Sequence, residues 1–156
     1  MSQENIIVNV IVTPKTKSKV NPSIIKNAAQ ATLRAEGKAL ASLSVKITDD
    51  QETRFLNKTY RNIDSTTDVL AFNQGYIDPE TDLLYLGDII ISYEQAKLQA
   101  DAHKCAVHEE CALLTIHGTL HLLGYDHSNP EEKDKMWSKQ NNILRCVMIS
   151  GMEDSS

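Results

Sequence analysis

The sequence predicts an α+β fold in one domain, a mixed sheet of four to five strands with about five helices packed on it. Three observations carry that expectation. Dense β-branched or alternating runs recur at residues 6–12, 43–47 and 88–92. Stretches of helical period, most of them opened by capping residues, stand between and after them. No repeat, low-complexity tract or linker divides the 156 residues, and a chain of that length buries about two thirds of its extended surface without disulfides. The domain is expected to cover residues 1–150, with 151–156 as a frayed tail.

Residues 6–12 form a β-branched run that reads as a strand buried on both faces or central in a sheet. A loop carrying Lys15, Lys17 and Lys19 follows. Asn21 then Pro22 supplies a cap and a first helical residue, and Ile24, Ile25, Ala28, Ala29, Ala31, Thr32 and Leu33 give that helix its apolar face until Gly37 stops it. Leu43, Val45 and Ile47 alternate with Ser44 and Lys46, the pattern of a strand half exposed to water. Asp49 with Glu52 has the form of a capping box and opens a helix through Phe55, Leu56 and Tyr60 to about Arg61.

After a turn-prone stretch at 62–67, residues 69–72 form a short strand, and 73–82, with Gly75 and Pro79, reads as a loop. Residues 83–86 and 88–92 are strand candidates. Gly87 is either a tight turn between two strands or a bulge within one. A short helix runs from Tyr93 to about Ala102, which Ala96, more weakly Leu98, and Ala100 suit, and a longer one covers 107–123. Ser128 or Asn129 before Pro130 opens the last helix. Its Glu131, Glu132 and Asp134 gather where the positive dipole end favours them, and Met136, Ile143, Leu144 and Val147 turn to the core.

Cys105, Cys111 and Cys146 form no CxxC pair and read as reduced thiols in core or near-core positions. No apolar run is long enough for a bilayer and no basic leader precedes one, so the expected setting is the cytoplasm, without a membrane. A net charge of −5 argues against a generally basic nucleic-acid binder. Yet residues 1–61 carry ten Lys/Arg against five Asp/Glu, and 62–156 carry six against sixteen. The first half can offer a local basic surface to a polyanion, although charge alone reads as readily as an uneven solvated surface.

Residues 117–127, HGTLHLLGYDH, hold three of the five histidines. His117 and His121 are four apart, so on a helix both rings leave one face. Gly124 permits the left-handed residue that ends a helix and returns the chain, carrying His127 toward them. Three imidazoles leave a fourth position on zinc for water, the arrangement of a catalytic centre. HxxxHxxGxxH matches a zinc-protease signature in its histidines and glycine, but Gly118 stands where that chemistry needs a glutamate base, which excludes peptide hydrolysis by that route. Asp126 either orients an imidazole or caps the turn. Glu110 reads as a solvated or salt-bridged glutamate, with a place beside the metal ligands as the alternative, and His103 and His108 as surface residues.

HGTLHLLGYDH, together with NKTYRNIDSTTDVLAF from Asn57 to Phe72 and LGDIIIS from Leu86 to Ser92, resembles the YbeY-type endoribonuclease family, the rRNA maturation factors of bacteria. The resemblance implies a small mixed sheet with helices, a zinc-bound hydrolase of single-stranded RNA, and a role in maturation of the 16S rRNA 3′ end and ribosome quality control. It implies single-stranded RNA, rRNA precursor and the ribosomal small subunit as partners. Carried onto this chain, the metal ligands are His117, His121 and His127, and the family's functional arginine matches Arg61. From its position alone Arg61 reads as a helix-end arginine facing the last carbonyls; the resemblance makes it catalytic, a guanidinium that holds the scissile phosphate. Lys15, Lys17, Lys19, Arg54 and Lys58 are candidates for guiding the strand. Ala71 and Asn73 depart from the family's usual serine and proline, which weakens any role for a hydroxyl there. Two other readings stand beside this one: a metal-dependent hydrolase of another substrate, and a ribosome-associated binding protein with a structural metal. Zinc suits the imidazoles, as do nickel and other first-row ions, and the oligomeric state stays open.

Overall fold

The computed structural model describes residues 4–14, 16 and 20–154. Lys15, Lys17 and Lys19 lie outside the described residues. The order of elements is β1 (Asn5–Val12), α1 (Pro22–Ala35), β2 (Leu40–Thr48), α2 (Asp50–Arg61), β3 (Val69–Ile77), β4 (Leu84–Ser92), α3 (Tyr93–His103), α4 (Val107–Leu122) and α5 (Pro130–Asp154). Four strands form one mixed sheet in the order β1-β2-β4-β3, with β1, β2 and β4 parallel and β3 antiparallel to β4. The α+β expectation holds, at four strands and five helices among the described residues.

The caps read from sequence are in place. Asn21 accepts from the Ser23 N–H at 2.9 Å with Pro22 in the first turn, and Asp49 accepts from the Glu52 N–H at 2.9 Å. The Glu52 carboxylate accepts instead from Lys46 and Thr48 on β2, so the N-terminus of α2 is tied to the sheet.

Two cores meet at α4. On one side, Leu43, Val45, Ile47, Ile89 and Ile91 of the sheet pack with Ile25 and Leu33 of α1 and Cys111 and Leu114 of α4. On the other, Ala112, Ile116 and Leu120 of α4 pack with Ala28 of α1 and Met136, Ile143 and Val147 of α5. Ten of the sixteen residues of α4 are buried in consequence. Thr115 and Thr119 fit there because each hydroxyl donates to the carbonyl four residues earlier, at 2.8 and 2.7 Å.

Several expectations are corrected. Residues 6–12 are not a central strand: β1 is a sheet edge where only Val8 is buried and Ile11 is 52% exposed. Its β-branched run reports strand propensity rather than two-sided burial. The loop expected at 73–82 is strand through Ile77, because Tyr76 and Ile77 pair with Tyr85 and Leu84 across a bulge. Gly75, at φ +68°, supplies the conformation the bulge needs. Of the two alternatives for Gly87 the bulge is the one formed: it lies inside one continuous β4 at φ +148°, where the register with β2 shifts between Ser42 and Ser44, and a Cβ there would sit 2.1 Å from the Phe72 carbonyl oxygen. Leu98 is 61% exposed while Ala96 and Ala100 face inward, since residues two apart cannot share a helix face. Of the cysteines, Cys111 is buried, Cys105 half-buried and Cys146 exposed. No helix among the described residues is long and apolar enough to cross a membrane.

Candidate metal centre

Helix α4 presents His117 and His121 on one edge, with their Nε2 atoms 3.1 Å apart. At Gly124, φ +101°, the chain turns back: the Gly124 N–H donates to the His121 carbonyl and the Tyr125 N–H to that of Leu120, both at 3.0 Å. The turn delivers His127, and ligand atoms of the three rings all lie within 4.8 Å of one another. Two nitrogens at about 2.0–2.1 Å from a tetrahedral zinc stand roughly 3.3 Å apart, so the His117–His121 pair already has the spacing of two ligands. His127 is exposed, and a closing of its ring toward the other two would complete the set.

The rings are prepared as neutral donors. Burial lowers the pKa of His117 below the ordinary imidazole value, opposed by a hydrogen bond to Gln140 and the charge of Asp68. Burial also lowers that of His121, helped by the neighbouring His117 and His127 and opposed by Asp126. His117 Nδ1 lies 2.7 Å from Gln140 Oε1. A donor at Nδ1 suits that amide oxygen and leaves Nε2 with its lone pair toward the cluster. Gln140 is 2% exposed and was not anticipated. Its signal in the sequence was a polar residue at a core position of the α5 stripe formed by Met136, Ile143 and Val147.

Arg61 enters the same cavity of about 520 Å³, which Thr67, Asp68 and Asn73 also line. Its Nη2 donates to the Ala71 carbonyl at 2.7 Å, and its guanidinium carbon lies 5.4 Å from the centre of the Phe72 ring. Other guanidinium donors remain for a ligand. Asp68 accepts from the Val69 N–H, the Thr67 hydroxyl and the Gln99 amide, which fixes its carboxylate at the wall. Asn73, at the departure from proline, donates its amide to the Leu122 carbonyl at 3.1 Å and so ties β3 to the end of α4.

Of the alternatives for Asp126, the cap is the one formed: Oδ1 accepts from the His127 N–H at 2.7 Å. Of the readings for Glu110, the paired one is formed, away from the histidine cluster. It is buried between α3 and α4, with His103 Nδ1 at 3.1 Å and the Cys105 thiol at 3.6 Å. His103 and His108 are exposed. Arg54 pairs with Asp64 at 2.8 Å, and with Lys58 it lines a separate surface cleft on α2. Gly118 faces the sheet, where a Cβ would lie 2.8 Å from Cγ2 of Ile89. A glutamate at that position would point into β4, not toward the histidines.

Residues 9–147 match the family described as Endoribonuclease YbeY. A relative of that name from Roseiflexus castenholzii is 36% identical over 156 residues, covering 96% of this chain and 98% of its own. Those from Dehalococcoides mccartyi and Aquifex aeolicus are 40% and 41% identical, covering 90% and 87% of this chain and 96% and 89% of theirs. In fold the chain is similar to the solution structure of TM1509 from Thermotoga maritima, at a TM-score of 0.64 and 21% identity over 94% of this chain and 93% of that one.

Two outcomes follow from the ligand environment. For His117 and His121 the folded pKa lies below the unfolded value, so the unfolded state binds more protons as pH falls through that value, and folding stability is lost on the acid side. The melting temperature of metal-free protein is expected to fall between about pH 7 and pH 5. In a His117→Asn, His121→Asn double variant that part of the fall is expected to disappear; an identical profile in both proteins contradicts the assignment. Gln140→Leu, which removes the acceptor at His117 Nδ1, is expected to weaken metal affinity by about ten- to a hundredfold, read by competition with a chromophoric chelator.

Proposed function

The chain belongs to the endoribonuclease YbeY family of RNA-cleaving nucleases, and on that premise we propose that it cuts single-stranded RNA at a phosphate held between Arg61 and a divalent metal, zinc by donor type, on His117, His121 and His127. The observation that carries this reading is the convergence of three imidazoles and one guanidinium on a single cavity. An imidazole triad and an arginine together suit a phosphodiester: the first holds a Lewis acid, the second binds anionic oxygens bidentately.

When bound, such a metal supplies Lewis acidity at a phosphoryl oxygen and lowers the pKa of water toward neutrality. The residues of the chain do the rest. His117 and His121 stay unprotonated near neutral pH because burial opposes their charged forms. Gln140 sets the His117 ring, and Asp126 fixes the backbone at His127. Arg61 is oriented by the Ala71 carbonyl and directs its remaining donors at two phosphate oxygens, where it offsets charge as the transition state forms. The Asp68 carboxylate, held by three donors, keeps the phosphate toward Arg61 by repulsion.

The physiological substrate in this proposal is the 3′ end of the small-subunit rRNA precursor, met on the ribosomal small subunit in the cytoplasm. Arg54 and Lys58, exposed on α2, guide the strand. His121→Ala is expected to lose bound metal and RNA cleavage together, whereas Arg61→Glu keeps its metal and loses at least about a hundredfold in cleavage rate. Metal content by mass spectrometry and cleavage of a single-stranded precursor fragment, measured on the same samples, check both. A metal-free His121→Ala protein that cuts normally overturns the proposal, and unchanged turnover in Arg61→Glu returns that residue to a helix-end role.

A further inference from the structure

We propose that the groove between α2 and the β3 edge of the sheet, beside the metal centre, is a stacking subsite for an unpaired RNA base, formed by Tyr60 and Phe72. It rests on the nuclease reading above for the identity of the strand that enters it.

Tyr60 stands on the last turn of α2 and is 68% exposed. Its ring meets Phe72 edge to face, with centroids 5.5 Å apart at 62°. Arg61 lies over the same Phe72 ring at 5.4 Å. Two aromatic rings and a guanidinium plane on one surface are the groups that hold splayed-out bases, because every base has a face to stack. A second pair, Tyr76 and Tyr85, with centroids 5.3 Å apart and Tyr76 50% exposed, extends the aromatic surface along β3 and β4.

The groove measures about 670 Å³ and shares Arg61, Ala71 and Asn73 with the metal cavity. A strand whose phosphate lies at Arg61 therefore has an adjoining nucleotide in the groove. The groove also selects which part of that nucleotide enters. Asp88 lines it and accepts from the Tyr85 hydroxyl at 2.5 Å and from the Gln74 amide at 3.4 Å. A carboxylate there repels a phosphate and accepts the N–H of a base edge. The backbone is left on the Arg61 side and the base on the Tyr60 side.

The test compares full-length, metal-loaded wild type, Tyr60→Ala and Tyr60→Phe in fluorescence anisotropy titrations at fixed salt. The ligand is a hydrolysis-resistant phosphorothioate single-stranded RNA, intact or carrying one abasic nucleotide walked along its length. Stacking predicts that Tyr60→Ala binds the intact strand roughly tenfold more weakly or worse. It predicts too that one abasic position costs wild type a similar factor and costs Tyr60→Ala nothing further, while Tyr60→Phe behaves as wild type. If Tyr60→Ala binds the intact strand as wild type does, as it would if the surface docks a protein, or loses the same factor on every strand, the subsite is overturned. Cleavage of unmodified RNA is followed in parallel. Base-dependent binding through Tyr60 without cleavage sinks the nuclease reading and leaves the subsite, and cleavage without that coupling does the reverse.

Discussion

The geometry of the histidine cluster depends on how closely helix α4 lies against strand β4. Gly118 has no Cβ, and the place one would occupy is 2.8 Å from Ile89. A larger residue would push the helix outward or turn it about its axis, and either movement would carry His117 and His121 off the edge from which they face Arg61. Burial on two sides removes the remaining freedom. One face of α4 packs in the sheet core, the other between α1 and α5, and what is left over is the narrow edge bearing the histidines. Cores are close-packed and transmit displacement, so a contact made for packing fixes the geometry of the chemistry.

The loop that carries His127 lacks such a core and is held by polar contacts instead. Tyr125 donates its hydroxyl to Glu36, and Lys139 of α5 reaches the same carboxylate at 3.1 Å while lying over the Tyr125 ring. Burial alone would raise the Glu36 pKa; the hydrogen bonds from Tyr125 and Lys139 hold it below the ordinary carboxylate value. Charge is thereby retained at a junction of α1, α5 and the turn. Gln140, the next residue on α5, holds His117. Neighbouring positions of one helix thus steady two of the three imidazoles, one directly and one through the turn.

The histidine triad was legible because its geometry is local: a four-residue helical spacing, then a glycine where the chain must reverse. The caps at Asn21 and Asp49 were legible for the same reason. What the sequence concealed depends on partners far along the chain. The strand character of Tyr76 and Ile77 comes from pairing with β4 against the turn signals of Gly75 and Pro79. The edge position of β1 is a matter of strand order, about which its own β-branched run says nothing. Gln140 is 23 residues from the ring it holds, and only its polarity within an apolar stripe marked it. Arg61 took its importance in the sequence from family resemblance alone; its position in the cavity adds a physical reason that the helix end by itself did not contain.

The proposed chemistry needs its metal on these three imidazoles and on no other donor set. A crystal structure of the metal-loaded protein with data collected across the absorption edge of the metal tests it most directly. One dominant anomalous peak per chain is expected, at about 2.0–2.2 Å from nitrogens of His117, His121 and His127 and facing the Arg61 guanidinium across the cavity. A dominant peak elsewhere, or one bound by fewer than three of these rings, would contradict it.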